Sequence, residues 1–331
     1  MRILASAPTG GGGVSLRHAA TICARRPGYN RRPTDERQPL SGSIPARAIL
    51  AALAIHTLWG GNPVAVKLGL EVFPPLWSGA LRFALGAGCV ALWALYARIP
   101  LMPTRAEWPT YLWMGVLFTL QIALLNIGFG ATTAVNGAVL VSTNPLFGVL
   151  FAHFLVPGDR LRPARALGVL IAFAGTALVL TRGAGPGGMQ GPSAGDWIVL
   201  ASAGLLGFRL ALSGRALKRV NEVRLTLWMM IVSLPLFFAG AMAFEAIRWE
   251  NLGFAPLAGI VYQGVVIAGL AFTVNFALMR RYSPSVMISF NFVAPVAGVL
   301  LGAAILGERI TAGLAGGMLL VAAGLVLITR R

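Results

Sequence analysis

From residue 47 onwards the chain alternates between apolar runs of about twenty residues and short polar joints. Ten such runs stand near 47–67, 75–97, 108–128, 133–156, 163–181, 196–216, 224–244, 256–279, 284–306 and 310–329. A helix of about twenty residues is some 30 Å long, which matches the hydrocarbon core of a bilayer. Period-two alternation is weak in these runs, and their length favours helices over the strands of a barrel. Joints such as Gly130 to Thr133 are so short that neighbouring helices must form antiparallel hairpins. The predicted fold class is an all-α polytopic membrane protein with ten transmembrane helices.

The pattern is also a duplication. Asn144-Pro145-Leu146-Phe147-Gly148-Val149-Leu150 returns as Ala294-Pro295-Val296-Ala297-Gly298-Val299-Leu300. Gly158-Asp159-Arg160 is echoed by Gly307-Glu308-Arg309, Gly168 by Gly317, Gly175 by Gly324 and Asn126 by Asn275. The chain therefore divides into a basic segment over 1–46, a five-helix repeat over 47–182, a Gly- and Pro-rich linker over 183–195 and a second repeat over 196–331. Residues 1–46 read as a disordered cytoplasmic tail, or as the product of a mis-assigned start codon. Five is an odd number, so the second repeat enters the membrane from the opposite side, and the two repeats are inverted.

Composition bears this out: 57% of the residues are hydrophobic and 11% charged, against roughly 25% charged in soluble domains. The net charge of +17 first suggests nucleic acid, but its placement does not. Lys and Arg crowd the N-terminal segment and every second joint, leaving Lys67, Arg182, Arg248 and Arg309 on the other side. That bias sets orientation in a multi-pass inner-membrane protein, with both termini cytoplasmic. Cys23 and Cys89 offer neither a disulfide framework nor metal-ligand spacing.

Polar residues at membrane depth are few and therefore informative. They include His56, Trp59, Asn62, Gln121, Asn126, Asn136, Asn144, Tyr262, Gln263, Thr273, Asn275, Ser289 and Asn291. Each one either glues helices together or faces a common polar space. Arg82 and Arg209 are the buried charges, and a basic side chain at depth needs a cavity or a partner. His56 is the one group at depth placed to titrate near neutral pH, which makes it the candidate for proton coupling. Pro145 and Pro295, near the middle of spans four and nine, are expected to kink their helices and shape a cavity. No acidic residue lies at mid-span, which disfavours an exporter of cationic drugs. Arginine and amides suit a carboxylate-bearing, zwitterionic or neutral metabolite. Enzyme templates are missing: there is no His-Glu-x-x-His, no Gly-x-Ser-x-Gly and no phosphate loop with lysine. No cofactor, metal, nucleic acid or obligate protein partner is expected, only a small-molecule substrate and the lipid bilayer.

Several strings resemble EamA-type transporters of the drug/metabolite transporter superfamily over roughly 47–331. They are Trp59-Gly60-Gly61-Asn62-Pro63-Val64-Ala65-Val66-Lys67, Pro75-Leu76, Leu81-Arg82-Phe83, Tyr262-Gln263-Gly264-Val265-Val266 and Pro295 with Gly307-Glu308. The resemblance implies a ten-helix inner-membrane carrier, typically exporting amino acids or related metabolites through a central cavity between the halves. By position it carries over Trp59, Asn62, Arg82, Tyr262, Gln263 and Pro295 as site residues. Phe208-Arg209-Leu210 in span six does not align with the family pattern. The expected activity is secondary transport by alternating access. A passive channel or facilitator is the main alternative, and a membrane-embedded enzyme or signalling subunit a more distant one.

Overall fold

The computed structural model describes residues 45–155, 163–182, 193–217, 220–281, 290 and 293–329. The N-terminal segment up to residue 44, the linker over 183–192, the Gly158-Asp159-Arg160 turn, Ser289 and Asn291 lie outside the described residues. Among the described residues all regular structure is helical. The helices are α1 (Ala46–Leu70), α2 (Pro75–Tyr96), α3 (Trp108–Gly130), α4 (Ala134–Val141), α5 (Asn144–Leu155) and α6 (Pro163–Arg182). They continue with α7 (Ala194–Ala216), α8 (Glu222–Phe244), α9 (Phe254–Val261), a π-helix (Tyr262–Ala271), α10 (Phe272–Arg281), α11 (Val293–Leu306) and α12 (Ala312–Thr329). Seven described stretches are long and apolar enough to cross a membrane. Three further apolar helices, Ala166–Val179, Val293–Leu306 and Ala312–Gly324, are shorter than that length.

The distribution of side chains matches a lipid environment. On α3, Leu112, Trp113, Val116 and Leu120 are exposed along one stripe, while Met114, Phe118, Ile122 and Leu125 are buried on the other. Such a stripe of large apolar groups is stable against hydrocarbon and costly against water.

Two expected helices depart from regular α geometry. The run over 133–156 is two helices, because Pro145 ends the hydrogen-bond ladder ahead of itself and sits in the first turn of α5 rather than at a kink in mid-helix. Pro145 lacks the N–H that would pair with the Val141 carbonyl, and the Asn144 side-chain amide takes that oxygen instead at 2.8 Å. Ser142 and Thr143, in the break itself, donate their hydroxyls to the carbonyls of Ala138 and Leu140. The run over 256–279 is continuous but passes through π geometry from Tyr262 to Ala271. Pro295 is the third residue of α11, and the residues just ahead of that helix, 291–292, lie outside the described residues.

Glycines decide how closely the helices approach. α6 packs on α12 with Gly175 against Gly317 and Gly168 against Gly324; a Cβ added at Gly175 would lie 2.7 Å from the Gly317 carbonyl oxygen. As one helix advances from 168 to 175 its neighbour retreats from 324 to 317, so the pair is antiparallel. α1 packs on α11, and α7 on α5. A Cβ at Gly60 would meet Ala294 O, Ala297 Cβ and Gly298 N at 2.7, 2.5 and 3.0 Å. One at Gly207 would meet Asn144 O, Phe147 Cβ and Gly148 N at 2.6, 2.7 and 2.6 Å. Each Pro-x-x-Gly segment is thus seated on a glycine contributed by the opposite repeat.

The joint between α2 and α3 is pinned to α8. Arg224 donates from Nη2 to Glu107 Oε1 at 2.8 Å and from Nη1 to the Met102 carbonyl at 3.2 Å, and Trp228 Nε1 donates to the Leu101 carbonyl at 2.8 Å. Arg224→Ala leaves Glu107 half-buried without its cation, at a cost of about 2 kcal/mol. The expected result is faster tryptic cleavage after Arg105, an exposed residue in that joint.

Candidate functional site

Arg82 and Arg209 come from different repeats and meet at one pair of aromatic rings. Arg82, on α2, is 3% exposed, and its Nε and Nη1 have no hydrogen-bond partner among the described residues. Arg209, on α7, is 5% exposed; its Nη1 reaches only the thioether of Met229 at 3.8 Å, and its Nε has no partner. The Arg82 guanidinium stands 5.0 Å from the centroid of Phe83 and that of Arg209 stands 5.1 Å from the centroid of Phe118. The two rings are themselves 4.6 Å apart. Cation–π contact returns about 0.5–2 kcal/mol, less than a guanidinium loses on leaving water without an anion. The rings hold the charges in place, and no described residue neutralises them.

The buried residues also include unpartnered acceptors. Gln121 and Asn126 on α3 and Gln263 on the π-helix are each almost wholly buried. Their amide nitrogens donate to Ser202 Oγ (3.2 Å), the Pro75 carbonyl (2.9 Å) and the Ala65 carbonyl (2.9 Å) respectively. The carbonyl partners fix the amide orientation of Asn126 and Gln263. Ser202 does the same for Gln121, because its proton is used on the Gln121 backbone carbonyl at 2.8 Å. The amide oxygens of all three, and that of Asn62, have no partner among the described residues. A buried unpartnered acceptor costs about 1–3 kcal/mol, so these oxygens are suited to receive N–H groups from a ligand.

Other candidates have different surroundings. Tyr262 donates its hydroxyl to the Leu58 carbonyl at 2.6 Å and, with Gln263, fastens the π-helix to α1. Trp59 and His56 belong to an aromatic cluster: their rings stack edge-on at 5.2 Å, with Phe272 5.7 Å from Trp59 and Phe290 6.3 Å from His56. His56 Nδ1 is hydrogen-bonded to the Ala52 carbonyl one turn back at 2.8 Å. Asn275 is half-buried on α10. Pro145 lies at a helix start and Pro295 within α11, each beside one of the glycine seats described above.

The seats supply an alignment that the residue types conceal. If Gly60 and Gly207 are equivalent, then Asn62 and Arg209, two residues further on, are equivalent as well. Asn62 presents an unpartnered oxygen where Arg209 presents an unpartnered N–H.

A second feature gains its meaning only from the structure. Gly307, with φ of +67°, turns the chain at the end of α11 into the left-handed region where glycine is favoured. The turn directs Glu308 at the N-terminus of α4, where its carboxylate accepts from the backbone N–H groups of Ala134 and Val135 at 2.8 and 2.7 Å. Lys67 lies within electrostatic reach of Glu308 and donates to the carbonyls of Phe129 and Thr132 at the end of α3. The Thr132 hydroxyl in turn donates to Asp196 at the start of α7. The lysine and the glutamate noted in the sequence strings are thus one helix-capping assembly.

Comparison with known proteins follows the same outline. The family model described as the EamA-like transporter family matches residues 46–181 and, separately, residues 193–330. The uncharacterized inner membrane transporter YedA of Escherichia coli strain K12 is 27% identical over 271 residues, spanning 79% of this chain and 83% of YedA. A Salmonella typhimurium protein named "Probable amino-acid metabolite efflux pump" is 25% identical over 291 residues, spanning 83% of this chain and 92% of its own. A solved crystal structure shares the fold at a TM-score of 0.63, with 22% identity over 86% of this chain and 96% of the other.

Proposed function

The chain belongs to the EamA-like transporter family, and from that premise we propose that it exports amino acids or related carboxylate-bearing metabolites as a secondary carrier. It is a multi-pass membrane transporter, and its family and relatives are transporters rather than enzymes. In the proposed reading, ten spans form two inverted repeats, 47–182 and 196–331, joined by the linker over 183–195, with both termini cytoplasmic. The twofold match of the family model and the crossed glycine contacts support it. Gly168 and Gly175 match Gly317 and Gly324 in sequence yet touch them crosswise, 168 to 324 and 175 to 317. A twofold axis relating the halves produces this self-complementary pattern. An axis in the membrane plane lets each half take the other's role in alternating access.

The observation that carries the substrate reading is the buried Arg82 guanidinium, which has no anionic partner among the described residues. The arginine suits a carboxylate and the amides suit an ammonium group, together the two ends of an amino acid. The Salmonella relative's name agrees with that chemistry. Arg82→Gln is expected to weaken substrate binding about tenfold, the loss of roughly one charge-assisted hydrogen bond. The test is counterflow of labelled amino acids in proteoliposomes: the wild-type protein should saturate and be stimulated by substrate on the far side. Flux that neither saturates nor shows counterflow would identify a passive channel. Transport unaltered in Arg82→Gln for every substrate would remove Arg82 from the site.

A further inference from the structure

We infer that the site takes a dicarboxylate, one carboxylate on Arg82 and the second on Arg209. The inference rests on the carrier reading above and narrows its substrate class. Two buried guanidiniums with unpartnered N–H groups place two positive charges in the interior. Among the described residues no ion pair reaches either of them, the Glu107 carboxylate being committed to Arg224 instead. Monoanion binding would leave one charge uncompensated in a low-dielectric setting, whereas a dianion balances both.

The separate placement of the two guanidiniums points to the kind of dianion. Each guanidinium stands on its own ring, and the path between them runs through steps of 5.0, 4.6 and 5.1 Å. A compact dianion such as a phosphate monoester spreads its charge over three oxygens of a single phosphorus and offers no second, separate anionic group. Two carboxylates joined by a short carbon chain can each take one guanidinium, and an apolar linker suits the aromatic surroundings of both. The amide oxygen of Gln121, one helical turn from Phe118 and unpartnered, is placed to receive an amino group on that chain. The equivalence of Arg209 and Asn62 makes the site asymmetric: one repeat offers an acceptor where the other offers a cation.

The test uses the full-length purified protein at pH 7, with binding read by calorimetry and exchange read by counterflow in proteoliposomes. The probes are succinate, aspartate, butyrate, alanine and glycerol phosphate. Succinate or aspartate is expected to bind about tenfold or more tightly than butyrate or alanine. Arg209→Gln should lower dicarboxylate affinity about tenfold and leave butyrate unchanged, while Arg209→Lys, with a wild-type melting temperature, keeps the dicarboxylate preference. Aspartate above succinate would place the amino group on the amides. Butyrate or alanine binding as tightly as succinate would overturn the inference while leaving the carrier reading intact. So would glycerol phosphate binding above succinate, or Arg209→Gln weakening every probe equally. If no carboxylate compound binds at all, both readings fall.

Discussion

Gly207→Leu is expected to destabilise the folded protein by about 3 kcal/mol or more, the upper end of overpacking penalties. The reason is geometric. A Cβ at this position meets the backbone oxygen of Asn144 and the backbone nitrogen of Gly148, both at 2.6 Å. No side-chain rotation relieves a clash with backbone, so α5 and α7 must separate, and close packing is what holds helices together in lipid. The same substitution at Gly88, where no atom lies within 4 Å of the added Cβ, supplies the control and should leave the melting temperature within error. Gly60→Leu should resemble Gly207→Leu, because Gly60 occupies the corresponding seat against Ala294 and Gly298. Thermal unfolding in detergent checks all three. Wild-type melting of Gly207→Leu would mean that the two repeats do not cross on these glycines.

Much of the architecture follows from hydropathy because the bilayer imposes it: a helix interior to lipid must be apolar for most of its length, and polar exceptions stand out. That is why Arg82, Asn126 and Gln263 are legible as unusual before any coordinates are seen. What they do at depth is not legible. Tyr262 and Gln263 have the residue types of ligands, yet both donate to backbone carbonyls of α1; the amide oxygen of Gln263 has no partner among the described residues. His56 and Trp59 share a span with Asn62 but belong to a separate aromatic cluster. The π register of Tyr262–Ala271 leaves no trace in composition, since it is a change of hydrogen-bond partner rather than of side-chain type. The break at Ser142 and Thr143 is signalled by Pro145, and the Asn144 amide takes the Val141 carbonyl that the proline releases. Arg209 escapes alignment for a related reason. Its neighbours are Leu-Leu-Gly-Phe, those of Asn62 are Leu-Trp-Gly-Gly, and only the shared seat of Gly60 and Gly207 reveals the equivalence.

Glu308→Ala is expected to cost about 3 kcal/mol, more than an exposed carboxylate is worth in a protein of this kind. Three contributions converge on one side chain. Its oxygens accept two backbone hydrogen bonds from Ala134 and Val135, each strengthened by the charge. They lie at the positive end of α4, where a negative group is favoured by about 0.3–1 kcal/mol. The carboxylate also faces Lys67, whose ammonium holds the last carbonyls of α3. Removing the acid therefore strips a helix N-terminus of its acceptor and leaves a lysine without its counter-charge. Glu308→Gln keeps an acceptor but not the charge, and should lose about half as much. Glu250→Ala, at an exposed position in the Trp249–Asn251 turn, is the control and should melt with the wild-type protein. Hydrogen exchange gives the local reading: the amides of Ala134 and Val135 should exchange faster in Glu308→Ala, while those buried in mid-α3 keep their rates. Unchanged exchange at 134 and 135 would show that the cap contributes nothing to holding α4. In that case Gly307-Glu308 serves only to turn the chain between α11 and α12.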